Sequence, residues 1–386
     1  MGPPLRCFLD NRIVAGGPFP RVPKVGLCQW WFNSGNASDK TMPIRNFVDS
    51  DPSHIKWTAD LLRKASNGEV IRFERDAIRP AAYRPFSKRY LYYSKVLNER
   101  AGLQGSYYPR RNTRNISIGF NSPGSTESFV FAVKDVANSS FGGSEGSQWV
   151  AKRWFDKKKP LGGLFAESQS IQSPVEQDGI TDFALKLFRE VYADEDITKD
   201  DIFDYVYGVL HSPEYKDRFA SDLKKQIPRI PLSRNFEAFA KAGKRLLELH
   251  CNYENVDPYP LEEIWTGENH SYLVKKMKHP KHGKETNLNK IVYNDCLTLS
   301  GIPSRAYMYT IKGRSAIEWI IKEYAVQEDT KGKSGIINDP NHYSDDPAYI
   351  VTLLKRVVRI SLDTMDIIDC LPPLKEIALP AGWQYA

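Results

Sequence analysis

Cysteine is scarce and scattered. The five residues, Cys7, Cys28, Cys251, Cys296 and Cys370, include no C-x-x-C pair. That argues against a disulfide framework and a zinc ribbon, and it fits a reducing compartment. No run of about 18 apolar residues occurs, so no membrane span is expected. Met1-Gly2-Pro3-Pro4 leads into no basic segment followed by an apolar one. No secretory signal is therefore expected, and the expected location is the cytoplasm. Internal repeats and low-complexity tracts are also missing. What remains is 386 residues, 41% hydrophobic and 12% aromatic, enough for one large core or two ordinary ones.

Complete catalytic signatures are missing too. Gly332-Lys333-Ser334 has the end of a phosphate-binding loop, but Gln327 stands where that loop needs its first glycine, so the backbone cradle is incomplete. Asn338-Asp339-Pro340-Asn341-His342-Tyr343 lacks the Pro-Pro step of an amino-methyltransferase loop and reads as an Asx/Pro turn. No glycine-rich strand–turn–helix for S-adenosylmethionine is apparent. Gly142-Gly143-Ser144-Glu145-Gly146-Ser147 lacks G-x-G-x-x-G and reads as a loop. His279 and His282 have no cysteine or acid cluster nearby to complete a tetrahedral metal site. Asp194-Glu195-Asp196 and Asp200-Asp201 read as charges at helix N-termini.

Charge is unevenly spread. Residues 1–160 hold 26 Lys and Arg against 13 Asp and Glu, while residues 161–386 hold 28 against 34. A basic half joined to a mildly acidic half suggests a polyanion-facing surface on the first. A solvated basic surface is the plain alternative.

Periodicity divides the chain in the same place. A helix is predicted over residues 54–65, with Asp51 or Ser53 as N-cap and Asn67-Gly68 as the stop. Residues 68–155 read mainly as β: short strands at 70–73, 90–93, 115–120 and 129–133, with polar turns between them. Residues 161–180, following Lys157-Lys158-Lys159-Pro160, read as a linker. Helices are predicted over 182–191, 200–210, 213–223, 235–249, 317–321 and 349–360, with strands at 290–293 and 306–311. The expectation is an α+β protein: a basic, β-rich part at 1–160, a linker-like segment at 161–180 and a mainly helical part at 181–386.

Three stretches carry candidate recognition residues. Arg84, Lys88 and Arg89 are interleaved with Phe86, Tyr90, Tyr92 and Tyr93; such cations neutralise phosphates or bond guanine edges, and such aromatics stack on bases or fill a core. Arg110, Arg111, Asn112 and Arg114 occupy a loop-like stretch, where Arg suits guanine and Asn suits adenine. Lys152, Arg153, Lys157, Lys158 and Lys159 suit phosphate contacts, which are sequence-independent and salt-sensitive. A further lysine patch runs through Lys275, Lys276, Lys278, Lys281 and Lys284.

Several longer phrases occur in a telling order. They are Tyr83-Arg84-Pro85-Phe86-Ser87-Lys88-Arg89-Tyr90-Leu91-Tyr92-Tyr93, then Tyr205-Val206-Tyr207-Gly208-Val209-Leu210-His211-Ser212-Pro213-Glu214-Tyr215, then Leu249-His250-Cys251-Asn252-Tyr253-Glu254, then Gly313-Arg314-Ser315-Ala316-Ile317-Glu318-Trp319. In that order the chain resembles the C-terminal specificity region of Type ISP restriction–modification enzymes. The resemblance implies sequence-specific recognition of double-stranded DNA by a module with no catalytic residues and no metal of its own. It implies partners carrying methyltransferase, helicase-like and nuclease segments, with S-adenosylmethionine, ATP and Mg²⁺ used only there. The alternatives are a protein-interaction or scaffold module of such an assembly, or a truncated fragment of the full enzyme.

Overall fold

The computed structural model describes residues 57–67, 74–94, 97–98, 102–125, 127–143, 145–156, 174–328 and 337–380. The strand expected at 70–73, the caps proposed at Asp51 and Ser53, and Gly332-Lys333-Ser334 lie outside them. Helix α1 (Ala59–Ser66) instead takes Thr58 as N-cap, whose hydroxyl accepts the Leu61 N–H at 3.3 Å, and it stops at Asn67 as expected.

Residues 78–92 form an antiparallel hairpin, β1 (Ile78–Arg84) and β2 (Ser87–Tyr92). The turn holds Phe86 at φ 56°, a region disfavoured for a side chain of this size. Its buried ring sits edge-on to Phe131 and Tyr253, with centroids 5.2 and 5.4 Å away, and that packing offsets the backbone cost. After α2 (Gln104–Tyr107), strands β3 (Ser117–Asn121), β4 (Val130–Val133) and β6 (Ser147–Ala151) form a sheet in the order β4-β3-β6, while β5 (Val136–Ala137) joins β1 in parallel. Strand β7 (Arg153–Asp156) pairs with β8 (Val175–Asp178). Residues 175–178 of the expected linker are therefore a strand, held by a partner the local composition does not reveal.

From residue 181 helices take over. These are α3 (Asp182–Tyr192), α4 (Lys199–His211), α5 (Pro213–Arg218) and α6 (Phe236–Cys251). Thr181 caps α3, and Thr198 and Asp201 form a reciprocal capping box on α4, so two orphan backbone donors are satisfied locally. Asp200 and Asp201 lie in the first turn of α4, as the sequence suggests.

A small sheet follows, ordered β12 (Lys290–Val292), β13 (Leu297–Ser300) and β9 (Glu262–Trp265), together with the hairpin β10 (Lys281–His282) and β11 (Glu285–Thr286). The strand expected over 306–311 is a 3-10 turn (Ser304–Tyr307) followed by the two-residue strand β14 (Thr310–Ile311), paired with β15 (Arg314–Ser315). Pro303 sets the turn's entry at φ −66°; the apolar run alone does not register that constraint. Helix α7 (Ala316–Glu323) and the hairpin strands β16 (Gln327–Glu328) and β17 (Ile337–Asn338) come next. The Asx/Pro turn is present: Asp339 accepts the Asn341 N–H at 2.9 Å ahead of Pro340. Helix α8 (Tyr349–Asp369) continues nine residues past the predicted 360.

The fold is α+β, with strands concentrated toward the N-terminus and helices toward the C-terminus. Its two large cores each draw on both regions. One packs Phe86, Phe131 and Phe141 against Ile317, Trp319 and Leu353; the other packs Ile118 and Ala132 against Phe203, Tyr207 and Phe239. No helix of the described residues is long and apolar enough to cross a membrane.

Candidate nucleic-acid interface

The loop between α2 and β3 is built to hold arginines outward on a fixed base. Tyr108 enters the core at one end, its hydroxyl 2.7 Å from Ser117 Oγ. Arg79, reaching across from β1, donates to the carbonyls of Tyr108 and of Pro109, the latter at 3.2 Å. At the other end Asn115 is buried. Its amide nitrogen donates to the carbonyls of Tyr107 at 2.9 Å and Arg153 at 2.7 Å, and its oxygen accepts the Arg153 N–H at 3.0 Å. Between these anchors, Arg110 and Thr113 close a turn through two hydrogen bonds of 3.0 and 3.1 Å. Arg110, Arg111, Asn112 and Arg114 are all exposed. A loop closed this way loses little entropy when it binds, because its backbone is already ordered.

Arg110, Arg111 and Asn112 line an open groove of about 720 Å³. Tyr90, Tyr93, Arg79, Glu74 and Asp76 line it as well. The groove therefore carries both cationic and anionic side chains. Arginine and asparagine supply donors for phosphates and purine edges, and carboxylates are the acceptors suited to a cytosine amino group. Arg79, Glu74 and Asp76 were not singled out in the sequence; they stand some thirty residues before the loop, and no local pattern joins them to it.

The other candidate cations have different occupations. Arg89 is 5% exposed, its guanidinium 3.7 Å from the Tyr343 ring centroid and 5.5 Å from that of Tyr83. A guanidinium enclosed by aromatic rings has no path to a phosphate, so Arg89 leaves the candidate surface. Lys88 pairs with Glu254 and lies 5.1 Å from the Tyr253 ring centroid. Arg84 donates to the Ser140 carbonyl at 2.5 Å and ties the β1–β2 turn to the loop before β6. These three are structural cations.

Lys152 and Arg153 form an internal clamp between sheet and helices. Lys152 meets Asp200 at 3.1 Å and Asp204 at 3.8 Å; Arg153 meets Asp200 at 2.7 Å and Glu176 and Asp178 at 3.4 Å each. Burial alone would raise the Asp200 carboxyl, but hydrogen bonds from Arg153 and Lys152 hold it below the ordinary range. Nearby Asp204 is pushed up to about 6, chiefly by burial. Four carboxylates around two cations leave no net positive field here, so this pair also leaves the candidate surface. Arg153→Ala is expected to cost about 1 kcal/mol of stability in urea unfolding while leaving DNA affinity unchanged. An affinity drop as large as that of the loop arginines would reverse this assignment. Lys157, Lys158 and Lys159 lie outside the described residues.

The lysine patch of the C-terminal region runs into the β10–β11 hairpin, which carries Lys281 and Lys284; ahead of it, Lys275 pairs with Asp295 at 3.6 Å. Lys276, Lys278, Lys281 and Lys284 are exposed, and the hairpin turns through Gly283 at φ 61°. Its base is fixed by the antiparallel bridge between Lys278 and Val292 and by an Asn287 N–H bonded to the Pro280 carbonyl at 2.9 Å. His279 is taken up by the Lys290 carbonyl at 3.0 Å. Among the described residues no group of three or more His, Cys, Asp and Glu is arranged to hold a metal ion.

Comparison with known proteins places this architecture. The family model for the Type ISP C-terminal specificity domain matches residues 27–353. Solved structures share the fold, among them these three. The ATP-dependent Type ISP restriction–modification enzyme LlaBIII bound to DNA is 33% identical with a TM-score of 0.74, over 85% of this chain and 20% of that one. A nuclease-deletion mutant of the Type ISP enzyme LlaGI, in complex with a DNA substrate mimic, is 34% identical with a TM-score of 0.71, over 86% of this chain and 24% of that one. The DrdV–DNA complex is 26% identical with a TM-score of 0.74, over 87% and 32%. The chain thus spans a third or less of the length of each of these proteins. No curated protein matches. With most of its length under the family model and the same fold in Type ISP enzymes, the chain belongs to the Type ISP C-terminal specificity domain family.

Proposed function

We propose that this chain recognises a specific sequence in double-stranded DNA and directs methylation and cleavage performed by other segments or subunits of a Type ISP-like restriction–modification system. The observation that carries the reading is the Arg110, Arg111, Asn112 and Arg114 loop, exposed on a base anchored by Tyr108, Arg79 and Asn115. The related structures solved with DNA support it. The division of labour is that of phosphate contacts that position and base contacts that specify. The loop arginines anchor phosphates together with Lys278 and the hairpin lysines Lys281 and Lys284, and donors of the loop also reach base edges. S-adenosylmethionine, ATP and Mg²⁺ belong, on this reading, to the partner segments that carry the methyltransferase, helicase-like and nuclease chemistry.

The test is selection of the purified chain against a random duplex library near physiological salt, followed by titration of the enriched site. One enriched motif of several base pairs is expected. The combined Arg110→Ala, Arg111→Ala, Arg114→Ala variant is expected to bind that site roughly a hundredfold more weakly, with the slope of log affinity against log salt shallower by about two to three. An unenriched pool with no DNA retained would replace this reading with a protein-docking role.

A further inference from the structure

A second concavity opens beside the arginine groove, and its chemistry is of a different kind. It has a volume of about 270 Å³, and among the described residues lining it none is charged. Its walls include the aromatic rings of Tyr93, Tyr107 and Trp149 and the aliphatic Leu91, Leu103 and Val136. The aromatic walls are set by their own bonds: Tyr107 Oη donates to the Trp149 carbonyl at 3.2 Å, and the Trp149 indole donates to Ser147 Oγ at 2.9 Å.

Its polar groups include the amides of Asn138 and Gln104, whose orientations follow from their partners. Asn138 is 3% exposed, and its side-chain oxygen accepts the Ser140 N–H at 2.9 Å. The other end of that amide is therefore the NH₂, which has no hydrogen-bond partner. A buried donor left unmade is uncommon and asks for an acceptor. Gln104 is oriented the same way: its oxygen accepts the Ala137 N–H at 3.2 Å, leaving its nitrogen as the donor. Leu103 stands at the rim, 64% exposed.

Tyr93 lines both this pocket and the arginine groove, with the Arg79 guanidinium 4.7 Å from its ring centroid. The Arg79–Tyr93 pair thus stands between cationic donors on one side and, on the other, an aromatic, amide-bearing pocket whose described residues are uncharged. A phosphate fits the first, and among the described residues it finds no counter-charge in the second. A planar neutral heterocycle with ring-nitrogen or carbonyl acceptors fits the second.

We propose that this pocket receives a single unpaired nucleobase, held between the aromatic walls and bonded by the Asn138 amide, from a strand whose phosphates lie against the neighbouring arginine loop. The inference rests on the DNA-binding reading above and adds to it a preference for an extrahelical base.

The test compares a duplex carrying one bulged 2-aminopurine with the same duplex fully paired, both bound by the full chain. The wild type is expected to bind the bulged duplex about ten- to a hundredfold more tightly, with 2-aminopurine fluorescence quenched on binding. Asn138→Asp keeps the acceptor used by Ser140 and replaces the free donor with an acceptor. It is expected to bring the ratio close to one, with paired-duplex affinity unchanged. Leu103→Trp, at an exposed rim position, fills the mouth without touching the core and is expected to do the same. The triple arginine variant is expected to weaken both duplexes in parallel. Wild-type binding to both duplexes with equal affinity would overturn the pocket proposal alone, as would an unchanged ratio in both pocket variants. Failure to bind either duplex would overturn the DNA-binding reading and the pocket with it.

Discussion

Gly243→Ala is expected to destabilise the protein by about 3 kcal/mol or more, measured as a shift in the urea unfolding midpoint. In an exposed helix the same change would stabilise, by up to about 1 kcal/mol, because alanine loses less backbone entropy. Packing decides the sign here. Helices α4 and α6 cross at Gly208 and Gly243, with the backbone of each against the other. A Cβ on Gly243 would stand 1.8 Å from the Asp204 carbonyl oxygen, and one on Gly208 would stand 2.1 Å from that of Phe239. Neither obstacle is a side chain that can rotate away. The helices would have to separate, opening the core formed by Phe203, Tyr205, Tyr207, Phe239 and Leu246. Gly208→Ala is expected to match it, and the two changes together should cost less than their sum, because one separation relieves both clashes. A Gly243→Ala protein as stable as the wild type would mean that the helices do not cross there.

Acid sensitivity centred on His250 is the second large effect. The imidazole is 0% exposed, with Phe131 and Tyr309 stacked on its two faces at 5.3 Å each. Its Nδ1 lies 2.7 Å from Tyr207 Oη and its Nε2 lies 3.0 Å from Thr364 Oγ1. Burial, and secondarily the charge of Lys216, pushes it down to about 3. The folded protein therefore holds this ring neutral where the unfolded chain would protonate it. The unfolded state binds more protons between the two values, so the stability contribution is complete above about pH 6.5 and is lost as pH falls toward 3.

The expected loss from this one group is about 1.4 kcal/mol per pH unit, or about 2 kcal/mol between pH 6.5 and pH 5. His211, whose ring lies 5.5 Å away, is also held well below the usual histidine range by burial and adds to the same slope. Urea midpoints at pH 7 and pH 5 measure it. His250→Gln should be less stable at pH 7, because the stacking of two rings and a paired hydroxyl is disturbed. Its further drop on going to pH 5 should be smaller than the wild type's by about 2 kcal/mol. Equal drops would show that His250 does not hold the neutral form.

Much of this molecule can be read from local chemistry. The helix at 199–211 follows from Thr198, Asp201 and the apolar run behind them, because capping and side-chain spacing operate within four residues. The strand at 117–121 follows from alternation, that at 130–133 from a β-prone apolar run after the turn signal at 121–125, and the turn at Asp339-Pro340 from proline's fixed φ and the Asx side chain. The arginine loop is legible as well: three arginines and two asparagines beside Pro109 suit an exposed turn, and four of those five side chains are exposed, with Asn115 turned inward as the anchor. The order of the longer phrases identifies the family.

The fate of the remaining cations is a tertiary matter. Arg84, Lys88 and Arg89 have the same local pattern of charge among aromatics that a base-reading strand would have. What separates the two cases is a partner far along the chain: Glu254 lies 166 residues from Lys88, and Ser140 lies 56 from Arg84. The Arg89 cage is closed by Tyr343. Arg153 likewise reaches Asp200 across 47 residues. Period-two alternation says which side chains share a face of a strand; it does not say whether that face meets solvent or a second layer. The sequence by itself determined the elements, the family and the exposed arginine loop. Only the folded chain decided which positive charges remain at the surface, because an ion pair or an aromatic cage forms between elements and leaves no trace in the residues beside it.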